Sequence, residues 1–348
     1  MDWIESIWIA IPALFIGFVF LVKGADWFVD GAAGIAEKLR VPTLIVGLTI
    51  VSFGTSAPEL ATSIISSSQG SGDIAIGNVF GSNITNVLLI LGLSAVICPL
   101  TVQKSALKFD FPVLLGSSVL VILLGAFDGK IGRLDGWIMF FLSLAYTVFL
   151  VGYGIKESKK QARTVALDTS YPIAVFEEGD PKEPSNTFNA WYEKRKNCTW
   201  FLIAITIVGL ALVVVGALLG VVPAAKCIAR ELKIPENVIG LTVVAIGTSL
   251  PELVTCVVAA KKGETDIAVG DIVGSNVFNV LRTLGLTGMI VPLAFSSSFV
   301  VDSVIALGAA VLLAVLGYMK GHKVKRWGGI LMLAGFVGYY VYLFATQL

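Results

Sequence analysis

The chain has 348 residues, of which 56% are apolar and 14% charged, and its formal net charge is +1. An ordinary globular domain carries about 25% charged residues, and the mean hydropathy here is +0.87, so a soluble domain is excluded. The near-zero balance also leaves no global positive field for nucleic acid.

A spanning helix needs about 20 largely apolar residues. Ten spans are predicted, near 7–33, 41–67, 73–99, 108–126, 134–154, 200–228, 236–260, 266–292, 299–319 and 327–346. The first follows MDWIESIW, which lacks the basic n-region of a secretory signal; it is expected to stay as a membrane helix. Between the fifth and sixth spans lies a polar stretch, 156–198, with eight Lys/Arg, seven Asp/Glu, Pro172, Pro181 and Pro184. It reads as a linker. Its acidic EEGD tract (177–180) lacks the 12-residue ligand spacing of an EF-hand loop. Cys98, Cys198, Cys227 and Cys256 are scattered without a CxxC pair, and a free Cys in an apolar segment behaves as a small hydrophobe.

The two sides of the linker repeat. GLTIVSFGTSAPELATSI (47–64) and GLTVVAIGTSLPELVTCV (240–257) agree at 11 of 18 positions. DIAIGNVFGSNITNVLLILGL (73–93) and DIAVGDIVGSNVFNVLRTLGL (266–286) agree at 13 of 21, in the same ungapped register of 193. This is an internal duplication, dividing the chain into a first repeat (1–155), the linker (156–198) and a second repeat (199–348). Five spans per repeat is odd, so the second copy enters the membrane from the opposite side. With both termini outside, the inside loops hold 18 Lys/Arg and the outside loops five; this bias predicts N-out/C-out with a cytoplasmic linker. The expected fold class is an all-α integral membrane protein of ten transmembrane helices in two inverted five-helix repeats.

Glu59 and Glu252 fall near the middle of the second and seventh spans, where an ionised carboxylate is costly unless it faces a polar cavity or a cation. Pro58 and Pro251 cannot donate to the carbonyls of Gly54 and Gly247, so the helix is expected to break at GTSxPE. Thr55 and Ser56 precede Glu59 by four and three residues, as Thr248 and Ser249 precede Glu252, placing the hydroxyls on the face of the carboxylate of their own helix. Asn78, Ser82 and Asn86 recur every four residues along the third span; Asp271, Ser275 and Asn279 do so along the eighth, with Asn83 and Asn276 one step around. Gly77/Gly81 and Gly270/Gly274 give the small-xxx-small spacing of closely packed membrane helices. Such an all-oxygen cluster suits a hard cation of the Ca2+ type, which takes six to eight oxygens. The sole histidine, His322, lies in a basic loop away from it.

GTSAPE and GTSLPE, with GSNITN and GSNVFN, resemble the α-repeats of the cation/Ca2+ exchanger superfamily, and most closely its compact prokaryotic Na+/Ca2+ exchanger branch. The likeness covers nearly the whole chain, including KGADWFVDGA (23–32). It implies a ten-helix fold in which the first and sixth helices slide over a core of the second, third, seventh and eighth. It also implies cation ligands at Thr55, Ser56, Glu59, Ser82, Asn86, Thr248, Ser249, Glu252, Ser275 and Asn279. Asn279 stands where K+-dependent relatives carry Asp, which argues against K+ co-transport. Arg282 replaces the apolar residue found at Leu89 and is expected to pair with an acid or to snorkel. Asp271 opposite Asn78 makes the site asymmetric.

The expected function is therefore secondary exchange of Na+ for Ca2+ by alternating access at the Glu59/Glu252 site, in a cell (inner or plasma) membrane. No cofactor, nucleic acid or obligate protein partner is expected, only the two ions and the bilayer. H+/Ca2+ antiport is the alternative within transport. An intramembrane enzyme needs no Ser/Thr/Asn stripes on four helices and no nucleophile–base motif is present; a channel is the remaining reading.

Overall fold

The computed structural model describes residues 4, 6–70, 72–167, 198–232 and 245–347. Twelve helices make up the described chain. The first half holds α1 (Ile7–Leu39), α2 (Thr43–Thr55), α3 (Ala57–Ser68), α4 (Gly72–Ile97), α5 (Ala106–Asp128) and α6 (Arg133–Leu167). The second holds α7 (contiguous segments Thr199–Val215, Gly216–Val221 and Val222–Glu231), α8 (Ala245–Thr248), α9 (Leu250–Lys262), α10 (Thr265–Phe278, Asn279–Leu284 and Gly285–Ile290), α11 (Ser297–Tyr318) and α12 (Arg326–Gln347). Six of these helices are individually long and apolar enough to cross a membrane, or seven if the bent pair α2–α3 is one span. The protein is all-helical and crosses the membrane several times. Its surface supports this: Trp8, Phe15, Phe127 and Val148 point outward while the Ser, Thr, Asn and acidic side chains of the spans are buried, the reverse of a soluble fold.

Two helices overrun their predicted ends. α1 continues to Leu39, where Arg40 adopts a left-handed conformation (φ 53°) and Pro42 follows, a stop that the polar GAAGIAEKL tail does not supply. α6 continues to Leu167, so the first twelve residues of the predicted linker are helix; KESKKQARTVAL is rich in good helix formers and has no proline. The rest of the linker to Asn197, with the EEGD tract, lies outside the described residues, as do residues 233–244 of the predicted seventh span.

Among the described residues, four two-residue strands close the ends of the bundle. β1 (Leu100–Thr101) pairs antiparallel with β4 (Lys323–Val324), and β2 (Lys130–Ile131) with β3 (Leu293–Ala294). Each ribbon takes one strand from each half, and the offset of 193 exchanges one ribbon for the other. The turns 98–105 and 319–325 thus meet at one end, and the turns 129–132 and 291–296 at the other.

α1 and α7 pack against each other through glycines. A Cβ on Gly24 would lie 2.8 Å from Gly209 O, and one on Gly209 2.5 Å from Phe28 N, so backbones touch there without side chains between them. Lys262, at the end of α9, ties α1 to the core: its Nζ lies 2.7 Å from Asp26 Oδ1 and 2.6 Å from Asp30 Oδ1. Two acids outside the central cluster, Asp110 buried and Asp302 half-buried, are each held by a tyrosine of a neighbouring helix. Tyr146 Oη donates to Asp110 Oδ1 at 2.9 Å and Tyr339 Oη to Asp302 Oδ1 at 3.3 Å. The tyrosines are again 193 residues apart, and neither acid was legible as paired from the sequence.

Candidate cation site

The two prolines break their helices as expected. Ser56 (φ −83°, ψ 5°) and Ser249 (φ −88°, ψ 8°) leave helical geometry one residue before α3 and α9 begin, and α2 meets α3 at 41°. Glu59 and Glu252 therefore sit in the first turn of a new helix, where unpaired backbone N–H groups give a partial positive charge that favours a carboxylate. Both are fully enclosed, with relative exposures of 1% and 0%.

The break also redirects the hydroxyls. Ser56 Oγ donates to Glu252 Oε1 at 3.2 Å, and Ser249 Oγ to Glu59 Oε1 at 3.3 Å. Thr55 Oγ1 donates to Asp271 Oδ1 at 3.0 Å, and Thr248 Oγ1 to Asn78 Oδ1 at 3.3 Å. Each serine and threonine thus serves the opposite half, correcting the expectation that it faces the glutamate of its own helix. An unbroken helix would place residues i and i+3 on one face; the turn at Ser56 and Ser249 swings the side chains across instead. Glu59 and Glu252 are thereby linked through one another's serines. Ser249 Oγ also lies 3.2 Å from Ser82 Oγ, which brings α4 into the cluster; α10 enters it through the Thr55–Asp271 bond, with Ser275 Oγ 3.4 Å from the same Asp271 Oδ1. Asn78 stands at its edge, half-buried, its amide donating to Glu59 O and Ser63 Oγ, both at 3.2 Å.

Four asparagines then close the floor. Asn83 Nδ2 donates to Asn276 O and Asn276 Nδ2 to Asn83 O, both at 3.2 Å. Asn86 Nδ2 donates to Asn276 Oδ1 at 3.0 Å and Asn279 Nδ2 to Asn83 Oδ1 at 3.2 Å. Asn83 and Asn276 were not among the candidate ligands, yet they consume the amide donors of Asn86 and Asn279 and so fix which atom each presents. The repeated SN of GSNITN and GSNVFN was the signal that could have marked them. Both outer asparagines lie where the helix widens to π geometry, at Thr85–Leu91 and Asn279–Leu284, a distortion common at functional sites.

The result is a surplus of acceptors. Glu59 Oε2, Glu252 Oε2, Asp271 Oδ2, Asn86 Oδ1 and Asn279 Oδ1 are all buried without a hydrogen-bond donor. A buried polar atom left unsatisfied costs about 1–3 kcal/mol, more if charged, and five oxygens of one kind in one cluster call for a shared positive partner. Among the described residues no set of three His, Cys, Asp or Glu side chains suited to a metal comes together; amides and hydroxyls supply most of the oxygen here, a set for hard cations and not for zinc.

Packing fixes the spacing of the cluster. Gly270 and Gly274 of α10 abut α2: a Cβ on Gly270 would lie 2.8 Å from Leu44 O, and one on Gly274 2.6 Å from Ser52 Oγ. The equivalent pair, Gly77 and Gly81, makes no such approach among the described residues; Gly240, the counterpart of Gly47, lies outside them. Arg282 pairs with no acid among the described residues. Its Nε donates to Ser143 Oγ at 3.1 Å and its Nη2 to Thr147 Oγ1 at 2.8 Å, both on α6, and its guanidinium lies over Phe278 and Phe53 at 4.4 and 5.1 Å. Hydroxyls and aromatic faces hold the half-buried guanidinium in place of an acid.

The family described as sodium/calcium exchanger protein matches residues 9–152 and 201–345. Sodium/calcium exchanger MaX1 of Methanosarcina acetivorans is 36% identical over 342 residues, covering 95% of this chain and 97% of its own. Inner membrane protein YrbG of Escherichia coli is 33% identical over 344 residues, covering 94% and 95%. Among solved structures, the sodium-calcium exchanger NCX_Mj soaked with Na+ and Sr2+ superposes with a TM-score of 0.78 at 31% identity, covering 97% of this chain and 99% of that one.

Proposed function

The chain belongs to the sodium/calcium exchanger protein family, and from that premise we propose that it exchanges Na+ for Ca2+ by alternating access at the Glu59/Glu252 cluster. It is a membrane transporter, not an enzyme. The observation that carries the ion-site reading is the set of five donor-less buried oxygens on α3, α4, α9 and α10. Ca2+ seeks six to eight oxygens at about 2.3–2.6 Å. Glu59 and Glu252 balance its charge, Asp271, Asn86 and Asn279 add neutral or further anionic oxygen, and the hydroxyls of Thr55, Ser56, Ser82, Thr248, Ser249 and Ser275 rotate their lone pairs inward when an ion replaces their present acceptors. Asn78 borders the cluster. Sodium ions draw on the same oxygens, so occupancy by one ion excludes the other, and exchange follows from competition.

In this reading the twelve helices form ten spans, α2 with α3 and α8 with α9 each counting as one, in two inverted repeats (1–155 and 199–348) around the linker 156–198. The reciprocal ribbons and the reciprocal asparagine bonds support that symmetry. The ribbon at Lys323 joins two of the lysine-bearing turns assigned inside, which supports N-out/C-out orientation. A location in the inner membrane follows the name of the Escherichia coli relative.

Vesicle flux tests the ion pair. An outward Na+ gradient is expected to drive Ca2+ uptake with pH clamped and K+ absent. Uptake that follows only a pH gradient replaces this reading with H+/Ca2+ antiport; uptake that requires K+ overturns the inference drawn from Asn279.

A further inference from the structure

Arg282 is a charge that exchange by the cluster does not explain. It lies one helical turn past Asn279, whose Oδ1 is one of the unsatisfied site oxygens, and the equivalent position in the first half is Leu89. Residues i and i+3 of a helix are about 5–6 Å apart at Cβ, which puts the guanidinium on the order of 10 Å from the site. Its ring partner Phe53 is two residues before Thr55, which bonds Asp271. Among the described residues no carboxylate lies within 4.0 Å of Arg282. Its shell is neutral: two hydroxyls and two aromatic rings. The side chain is half-buried; a neutral shell holds its charge in place without cancelling the field, which on the protein side reaches further than in water.

We propose that Arg282 is a specificity-determining residue, a fixed positive charge beside the cation cluster that weakens Ca2+ binding more than Na+ binding. The inference rests on the reading of the cluster as the cation site. Its logic is the charge of the ion. A fixed charge repels a divalent ion with twice the energy it exerts on a monovalent one at the same place, so the penalty factor for Ca2+ is the square of that for each Na+. At about 10 Å and an effective dielectric of about 20, the factor for Na+ has an upper bound of about 15-fold. A residue that acts only by packing α10 against α6 has no reason to follow a square law.

The experiment is titration calorimetry of the full chain in lipid nanodiscs with CaCl2 and with NaCl, for wild type, Arg282→Leu, Arg282→Gln and Arg282→Lys. Arg282→Leu installs the residue of the matching helix, and melting curves verify that each variant is folded. For the Leu and Gln variants, the Na+ half-saturation is expected to fall about three- to tenfold and that for Ca2+ by the square of the observed factor. Arg282→Lys is expected to stay within about twofold of wild type, since it keeps the charge while losing the planar fork. Equal shifts for the two ions, no shift for Ca2+, or a Lys variant that behaves like Leu overturns the inference while leaving the cation site standing. A wild type that binds neither ion removes the site itself, and this inference with it.

Discussion

Changing Glu59 or Glu252 to glutamine is expected to abolish Ca2+ transport while leaving the protein inserted and folded. The substitution keeps the shape of the side chain and the acceptor that the opposite serine addresses, Oε1 in each case, but it removes a charge. Two unit charges about 4 Å apart at an effective dielectric of about 20 interact by about 4 kcal/mol, so losing one carboxylate weakens a divalent ion by about a thousandfold or more. Stability moves the other way. Two carboxylates enclosed together without a cation repel each other and lack hydration, so either variant is expected to melt at or above the wild-type temperature in ion-free buffer. Isotope uptake into vesicles, with size-exclusion profiles of the same preparations, separates the outcomes. Wild-type exchange in either variant contradicts a two-carboxylate site.

The second large effect is steric. Gly270→Val is expected to lower the melting temperature and abolish Ca2+ uptake with every proposed ligand intact. The new Cβ would meet Leu44 O at 2.8 Å, Leu48 N at 3.0 Å and Gly47 Cα at 3.1 Å, all backbone atoms that no rotamer change can move. Overpacking of this kind costs about 1–3 kcal/mol, and relief requires α10 to leave α2. Asp271, Ser275 and Asn279 travel with α10, so Thr55 loses Asp271 and the cluster opens. Gly308→Ala is the matched control, because a Cβ there meets nothing within 4 Å, and it is expected to retain both stability and uptake. A Gly270→Val protein that melts and transports like wild type refutes the packing argument.

The carboxylates, the helix breaks and the duplication were legible in the sequence because each follows from local chemistry: a Pro two residues after a Ser, a Glu inside an apolar run, an ungapped register of 193. The destination of the hydroxyls was not. Periodicity assigns Ser56 to the face of Glu59 only if the helix continues, and the same proline that marks the site invalidates that assumption. The ring of Asn83, Asn86, Asn276 and Asn279 depends on two halves meeting, which no spacing within one half encodes. Arg282 was conspicuous, but its partners Ser143 and Thr147 are more than 130 residues away on α6, and hydroxyls in an apolar helix give no signal that they await a guanidinium. The overrun of α6 into the linker follows from helix propensity, outweighed in the sequence reading by charge density.

Anomalous diffraction from crystals grown in Ca2+ locates the bound ion itself. One strong peak is expected, bounded by Glu59 Oε2, Glu252 Oε2 and the side-chain oxygens of Asn86 and Asn279, at oxygen distances of about 2.3–2.6 Å, and weakening as Na+ is raised. A density map in which Ca2+ binds elsewhere, with those oxygens still unoccupied, contradicts it.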